Sequence, residues 1–240
     1  IAFDDIKTFP SYNKAIRMSA AAGLKDFSNY LLYNFVDKPL DLYQRLRINV
    51  ELCDELNVNI YSFPMKYHPI RKGKDDAEDL SHNRDYIGKH WNRKYIRAIQ
   101  AILNSTKGKV GKGITFFLEA FGNDETEYME LLEMPETFIL YRFFFKWLDE
   151  KGSMGTDHWR QCWSHCMNTL AEDEKQLVLD IIHTNTFYKE ELEAVTSADA
   201  LKLLNFYTNY RKDIITPGTE LYRLKQEYDE NPTIQLRRKK

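Results

Sequence analysis

The sequence predicts an α/β fold: about three parallel strands alternating with helices, then a mainly α-helical region. Two observations carry this. Strand-like and helix-like stretches alternate through the first 70 residues with short connections, the signature of parallel β/α units. From about residue 85 the chain reads as helix almost to its end. Composition agrees, since 240 residues at 43% hydrophobic can bury a sizeable core, and 10 glycines and 7 prolines exclude low complexity.

The elements follow in order. Ile1-Ala2-Phe3 is a short apolar run ending in Asp4-Asp5. Pro10 sits where a first helical turn tolerates it, and Ile16, Ala20 and a Gly23 stop complete a helix. Tyr30–Phe35 is apolar or aromatic at nearly every position, as expected of a strand buried on both faces. Asp37-Lys38-Pro39 breaks it. A helix follows from about Asp41, with Leu42, Leu46, Val50, Cys53 and Leu56 on one stripe. Val58–Phe63 reads as the third strand, closed by Pro64 and Pro69. Three strands make too small a sheet to stand alone, so another chain or an N-terminal stretch is expected to complete it. The start at Ile1 instead of Met also suggests a piece of something longer.

Residues 71–84 are polar and charged and read as a loop, and 85–230 as a helical domain. Its helices are expected near 91–105, 126–134, 136–150, 157–170, 172–183, 188–195, 198–211 and 217–229. Ser197 and Thr216 are the expected N-caps. Residues 231–240 end in Arg-Arg-Lys-Lys and read as a flexible basic tail.

Charge and cysteine usage exclude several function classes. A net charge of −2 gives no whole-molecule attraction to nucleic acid or membrane. No run approaches the ~18 apolar residues of a transmembrane helix, and the residues from Ile1 onward show no signal-peptide pattern. Three cysteines cannot form a disulfide framework, which points to a reducing cytoplasm. No G-x-S-x-G supports serine-nucleophile chemistry.

Ligands of parallel β/α folds sit beyond the carboxyl ends of the strands. Those ends carry Asp4 and Asp5, then Asn34 and Asp37, then Ser62, Lys66 and Tyr67. Carboxylates and amides so placed can bind ribose hydroxyls or orient a substrate; equally, they can cap helices and polarise loops.

The stretches YLLYNFVDKPLDLYQRLRINVELCDELNVNIYSFPMKYHPI and HNRDYIGKHWNRKYIRAIQAILNSTKGKVGKG resemble the later part of a radical S-adenosylmethionine (radical SAM) barrel. The likeness is to iron–sulfur oxidoreductase-type proteins of that superfamily and covers roughly residues 1–142. SFPMKYHPI and IGKHWNRKYIRAIQ are its most specific parts. The resemblance implies a partial TIM-like (β/α) barrel over residues 1–70, with Ile1–Asp5, Tyr30–Phe35 and Ile60–Phe63 as its fourth, fifth and sixth strands. It implies a 4Fe-4S cluster and S-adenosylmethionine in the intact enzyme, which would abstract hydrogen from an unknown substrate. It places Asp4, Asp5, Asn34 and Asp37 on the cofactor side. Ser62, Lys66 and Tyr67 would face substrate, with Arg93, Lys94 and Arg97 supporting an anionic group or a partner. The family's CxxxCxxC cluster loop is absent from this sequence, so the chain alone is expected to hold neither group and to be inactive. The partner implied is an N-terminal half-barrel or a second chain that carries the loop.

Two further constellations stand beside this. Around QCWSHC, Cys162 and His165 or Cys166, with His158 one helical turn earlier, share a face and could converge on a soft metal. The alternative is a buried stripe of Trp159, Trp163, Cys166 and Leu170. Residues 84–113 hold eight Lys or Arg (Arg84, Lys89, Arg93, Lys94, Arg97, Lys107, Lys109 and Lys112) against Asp85. They are interleaved with His90, Trp91 and Tyr95 and end in GKVGKG, which lacks P-loop spacing. This segment could dock nucleic acid or an acidic partner, making the protein a non-enzymatic helical binding module. It could instead pair with the acidic stretch 119–136.

Overall fold

The structure, a computed structural model, describes residues 2–69 and 86–234. The polar loop expected over 71–84 and positions 235–240 of the basic tail lie outside the described residues. The chain divides into two compact units, Ile1–Glu133 and Met134–Lys240.

The first unit opens with Ala2 and Phe3 lying parallel to the next strand through an Ala2–Tyr30 bridge. A short 3-10 turn (Ile6–Thr8) leads into α1 (Phe9–Ala21), with Pro10 in its first turn. Then come β1 (Asp26–Tyr33), α2 (Pro39–Leu56) and β2 (Asn59–Lys66). β1 and β2 pair in parallel from Asp26 opposite Asn59 to Tyr33 opposite Lys66, and α2 is the crossover that parallel pairing requires. Asn57 ends α2 in the left-handed region (φ 49°), returning the chain to the sheet. The fold is therefore mixed α/β and mostly helical. Its regular sheet has two parallel strands, extended by bridges at Ala2 and, antiparallel, between Ser62 and Val110.

Alternation sorts the sheet into two faces. Phe27, Asn29, Leu31 and Tyr33 of β1, with Ile60, Ser62 and Pro64 of β2, are buried on one face. α2 packs against both strands, and Tyr12 of α1 bonds Asn29 from the same side. The opposite face carries Tyr30 (54% exposed) and Met65 (48%), together with half-buried Leu32, Tyr61 and Phe63. Both-face burial, expected of this strand, is thus corrected: among the described residues one face is buried and the other is half-buried to exposed. Pro64 lies inside β2 and does not close it. Ser62 N–H points away from β1, toward Val110 O at 2.7 Å. Pro64 nitrogen, two residues on, points the same way, so its missing N–H removes no β1–β2 bond.

α3 (Arg93–Ser105), α4 (Ile114–Phe121) and α5 (Glu125–Glu133) complete the unit. α4 and α5 pack on α2, and α3 on α5, so the boundary falls after Glu133 and not in the 71–84 stretch. No element was expected over 114–121: α4 is short, and its N-cap Gly113 supplies no side-chain bond.

The second unit is helical. α6 (Glu136–Leu140) and α7 (Arg142–Glu150) replace the single helix expected over 136–150. α8 (Thr156–Thr169), α9 (Glu172–Thr184), α10 (Lys189–Glu193), α11 (Ala198–Thr208), α12 (Tyr210–Ile215) and α13 (Glu220–Glu230) follow. Ser197 caps α11 as expected; α13 is capped by Thr219 where Thr216 was expected. Its core gathers around fully buried Trp159 and the rings of Phe138, Phe145, Phe206 and Tyr210.

Candidate functional site

The carboxyl ends of the parallel segments converge on one side chain that periodicity left unmarked. Arg45 of α2 is fully buried and runs to the strand ends. Its Nη1 donates to Phe3 O at 3.0 Å and Leu32 O at 2.9 Å, and its Nε to Asp41 O at 3.0 Å. Its Nη2 pairs with Asp37 Oδ2 at 3.0 Å. One guanidinium thus ties the ends of two parallel segments to the first turn of α2.

Asp37 is held on the other side as well. Its Oδ1 accepts Phe35 N–H at 2.9 Å, and its backbone oxygen accepts Trp91 Nε1 at 2.9 Å. Burial raises the Asp37 pKa despite these bonds and Arg45; burial likewise lowers that of Arg45 against the pull of Asp37. Both partners are pushed toward neutrality, so the loss of solvation exceeds the mutual attraction.

Asn34 is fully buried in the left-handed region (φ 69°). Its Nδ2 donates to Tyr67 O at 3.1 Å and Tyr86 O at 3.0 Å, and its Oδ1 accepts Gly88 N–H at 2.8 Å. The side chain is a splint between the strand ends and the segment leading to α3. Asp4 is exposed, yet its Oδ1 accepts Leu32 N–H at 2.7 Å, satisfying the edge donor of β1. Asp5 accepts Lys7 N–H at 2.9 Å and caps the 3-10 turn. The four residues expected to face a cofactor are thus close to the strand ends, each with at least one side-chain oxygen bonded into the scaffold.

The expected substrate-facing residues diverge. Ser62 is buried on the helix-covered face, where its Oγ accepts Asn49 Nδ2 at 2.9 Å. That bond belongs to a chain running from Ser62 through Asn49 and Tyr12 to Asn29, whose Oδ1 has no hydrogen-bond partner. Lys66 is half-buried at the end of β2. Tyr67 follows on the opposite face, its ring 4.3 Å from that of Phe35 and 5.5 Å from that of Tyr86. Arg93 and Arg97 are half-buried on α3, and Lys94 is fully buried in its apolar face. The helix therefore does not present these three as one solvent-facing basic strip.

On α8, Cys162 and Cys166 are buried. Burial raises both thiols, Cys166 to about 12, which disfavours the thiolates that metal ligation needs. Cys166 donates to Asp199 O at 3.4 Å, and His165 Nε2 lies 3.1 Å from Asp199 Oδ2. His158 packs edge-on against Phe206, and burial lowers its pKa. Among the described residues no group of three or more His, Cys, Asp or Glu could hold a metal ion. The buried positions of α8 are Trp159, Cys162 and Cys166; of the expected stripe, Trp163 is half-buried and Leu170 is a half-buried C-cap.

Two residues were missed by sequence reasoning. Arg45 and Asn49 fall within the Leu42–Leu46–Val50–Cys53 stripe of α2, and a polar group in phase with an apolar stripe is the signal that marks them. No family model, curated protein or solved structure matches this chain.

Proposed function

We propose that residues 1–133 form the later β/α units of a radical SAM-type barrel, which a half-barrel bearing the CxxxCxxC loop completes. One observation supports this above the others: among the described residues, one face of the parallel sheet is packed by α2 while the other is only half-buried to exposed. The other face leaves Tyr30 and Met65 open beside half-buried Leu32 and Phe63. Parallel sheets occur almost only with both faces covered. In a barrel the helix-free face is the interior, and further strands would bury it.

The chain's own residues do not fit the metal group. Each of the three cysteines, Cys53, Cys162 and Cys166, is buried with a raised thiol pKa, and none stands in a cluster loop. Nor do Asn34 and Asp37 have an unengaged group to offer S-adenosylmethionine. In this reading the chain supplies architecture: Arg45 fixes the strand ends, Asn34 fixes the rim, and the open face carries the interior. The reading as a basic docking module is weaker, because Lys94 belongs to the core.

The test is the mass and iron content of the native gene product purified without oxygen. The barrel reading expects a cluster-loop segment, in the same chain or a bound partner, and about four irons per assembly. A native product without iron and without any polypeptide bearing that loop overturns it.

A further inference from the structure

Four polar side chains lie buried beneath the sheet, on the face that α2 covers. Asn29 of β1, Asn49 of α2 and Ser62 of β2 are each 1% exposed, and Tyr12 of α1 is 4% exposed. Their hydrogen bonds run in one direction. Asn29 Nδ2 donates to Tyr12 Oη at 2.7 Å, Tyr12 Oη to Asn49 Oδ1 at 2.8 Å, and Asn49 Nδ2 to Ser62 Oγ at 2.9 Å. Asn29 Oδ1, at the head of this chain, has no hydrogen-bond partner. Ser62, at its tail, accepts through Oγ and keeps its own hydroxyl proton to donate.

Head and tail are neighbours. Asn29 stands opposite Ser62 in the β1–β2 register, and both side chains lie on the buried face. Adjacent strands are about 4.8 Å apart, so the chain of four curls back on itself. It ends in an acceptor on one strand beside a donor on the next. The two ends do not bond one another directly.

Reversing the hydrogen bonds does not cure the mismatch. With both amides turned over, Ser62 would donate to Asn49, Asn49 to Tyr12 and Tyr12 to Asn29. Asn29 would then present an unbonded amino group where its oxygen had been. In either sense the two ends call for one small group that both donates and accepts. A buried polar atom left unbonded is costly, and native interiors meet that cost with a partner, ordered water included. An ion does not suit, because the four side chains are neutral and offer no countercharge.

We propose that a single water molecule is bound between Asn29 and Ser62 and closes the ring. It accepts the Ser62 hydroxyl proton and donates to Asn29 Oδ1. Internal waters bind where two to four polar groups converge, and these two are supplied by adjacent strands. The closed ring ties α1, α2 and both strands together through side chains. The site involves no iron and no second chain, so it stands or falls separately from the barrel reading.

The experiment compares the wild-type chain with Asn29→Leu by oxygen-17 relaxation dispersion of the solvent, which counts long-lived internal waters and does not respond to hydroxyl-proton exchange. Leucine has a similar volume and no amide. The variant should lose the contribution of one long-lived water. Equal numbers in the two chains overturn the proposal. If Asn29→Leu does not fold, a crystal structure of the wild-type chain that resolves ordered water decides. One water within hydrogen-bond distance of both Asn29 Oδ1 and Ser62 Oγ is the expected result. A direct Asn29–Ser62 bond, a water that reaches only one of them, or no water there overturns it.

Discussion

Arg45 shows how one side chain can set the geometry of a site without lining it. It satisfies carbonyls from the first extended segment, from β1 and from α2, and it neutralises Asp37. Arg45→Ala leaves a buried carboxylate and three carbonyls without that donor. Loss of one member of a buried pair costs about 3–5 kcal/mol, so a urea titration should show a comparable fall in unfolding free energy. The pair also predicts a pH dependence of definite sign. Because the folded Asp37 pKa is raised, the folded chain holds this proton more tightly than the unfolded one. Between the ordinary aspartate pKa and the raised value, stability must fall as pH rises. Asp37→Asn removes that contribution. Unfolding free energies measured across the acid range should therefore show the wild-type chain losing ground to the variant with rising pH.

At the level of elements, the strand ends depend on close approach. Gly88 meets the backbone of Phe35 and Asn34, where a methyl group has no flexible side chain to displace. Gly88→Ala is expected to destabilise by about 1–3 kcal/mol and to lower the thermal midpoint. Pro64 is the opposite case. Its nitrogen faces away from β1, so Pro64→Ala should change stability by less than about 1 kcal/mol in the same measurement, although the residue sits inside a strand. The helices were legible for physical reasons: apolar positions recur at helical spacing from 156 onward, and Ser197 caps where it was expected. α4 was not legible, because its eight residues carry neither a capping side chain nor two full turns of amphipathic pattern. β1 begins four residues before the expected Tyr30, because its buried row includes Asn29, which reads as polar.

For the molecule as a whole, the sheet face that the described residues leave half-buried to exposed is the largest departure from what the strands suggested. Tyr30 and Met65 are half-exposed on it, so replacing both with Glu removes little buried surface from this chain. Tyr30→Glu with Met65→Glu should shift the urea unfolding free energy by no more than about 1 kcal/mol. If further strands cover this face, the same pair should abolish their association in a pull-down with the cluster-loop polypeptide. A large loss of stability in the chain alone would show instead that the face is already packed.

The sequence by itself determined the parallel β/α character of the first residues and the helical run that follows, though not α4 or the breaks between α6 and α7 and between α11 and α12. Those are local properties: period, caps and breakers act within a few residues. It also placed Asp4, Asp5, Asn34 and Asp37 at strand ends, since topology puts turn residues there. Only the tertiary structure decided what those groups do. Whether a carboxylate meets a ligand or a backbone N–H depends on partners distant in sequence, such as Asn34 with Gly88 and Asp4 with Leu32. The face on which Ser62 lies and the burial of Lys94 and Arg45 are likewise set by which helix covers which side of the sheet. Such long-range pairings leave no periodic trace in the chain, because they are selected by packing and desolvation.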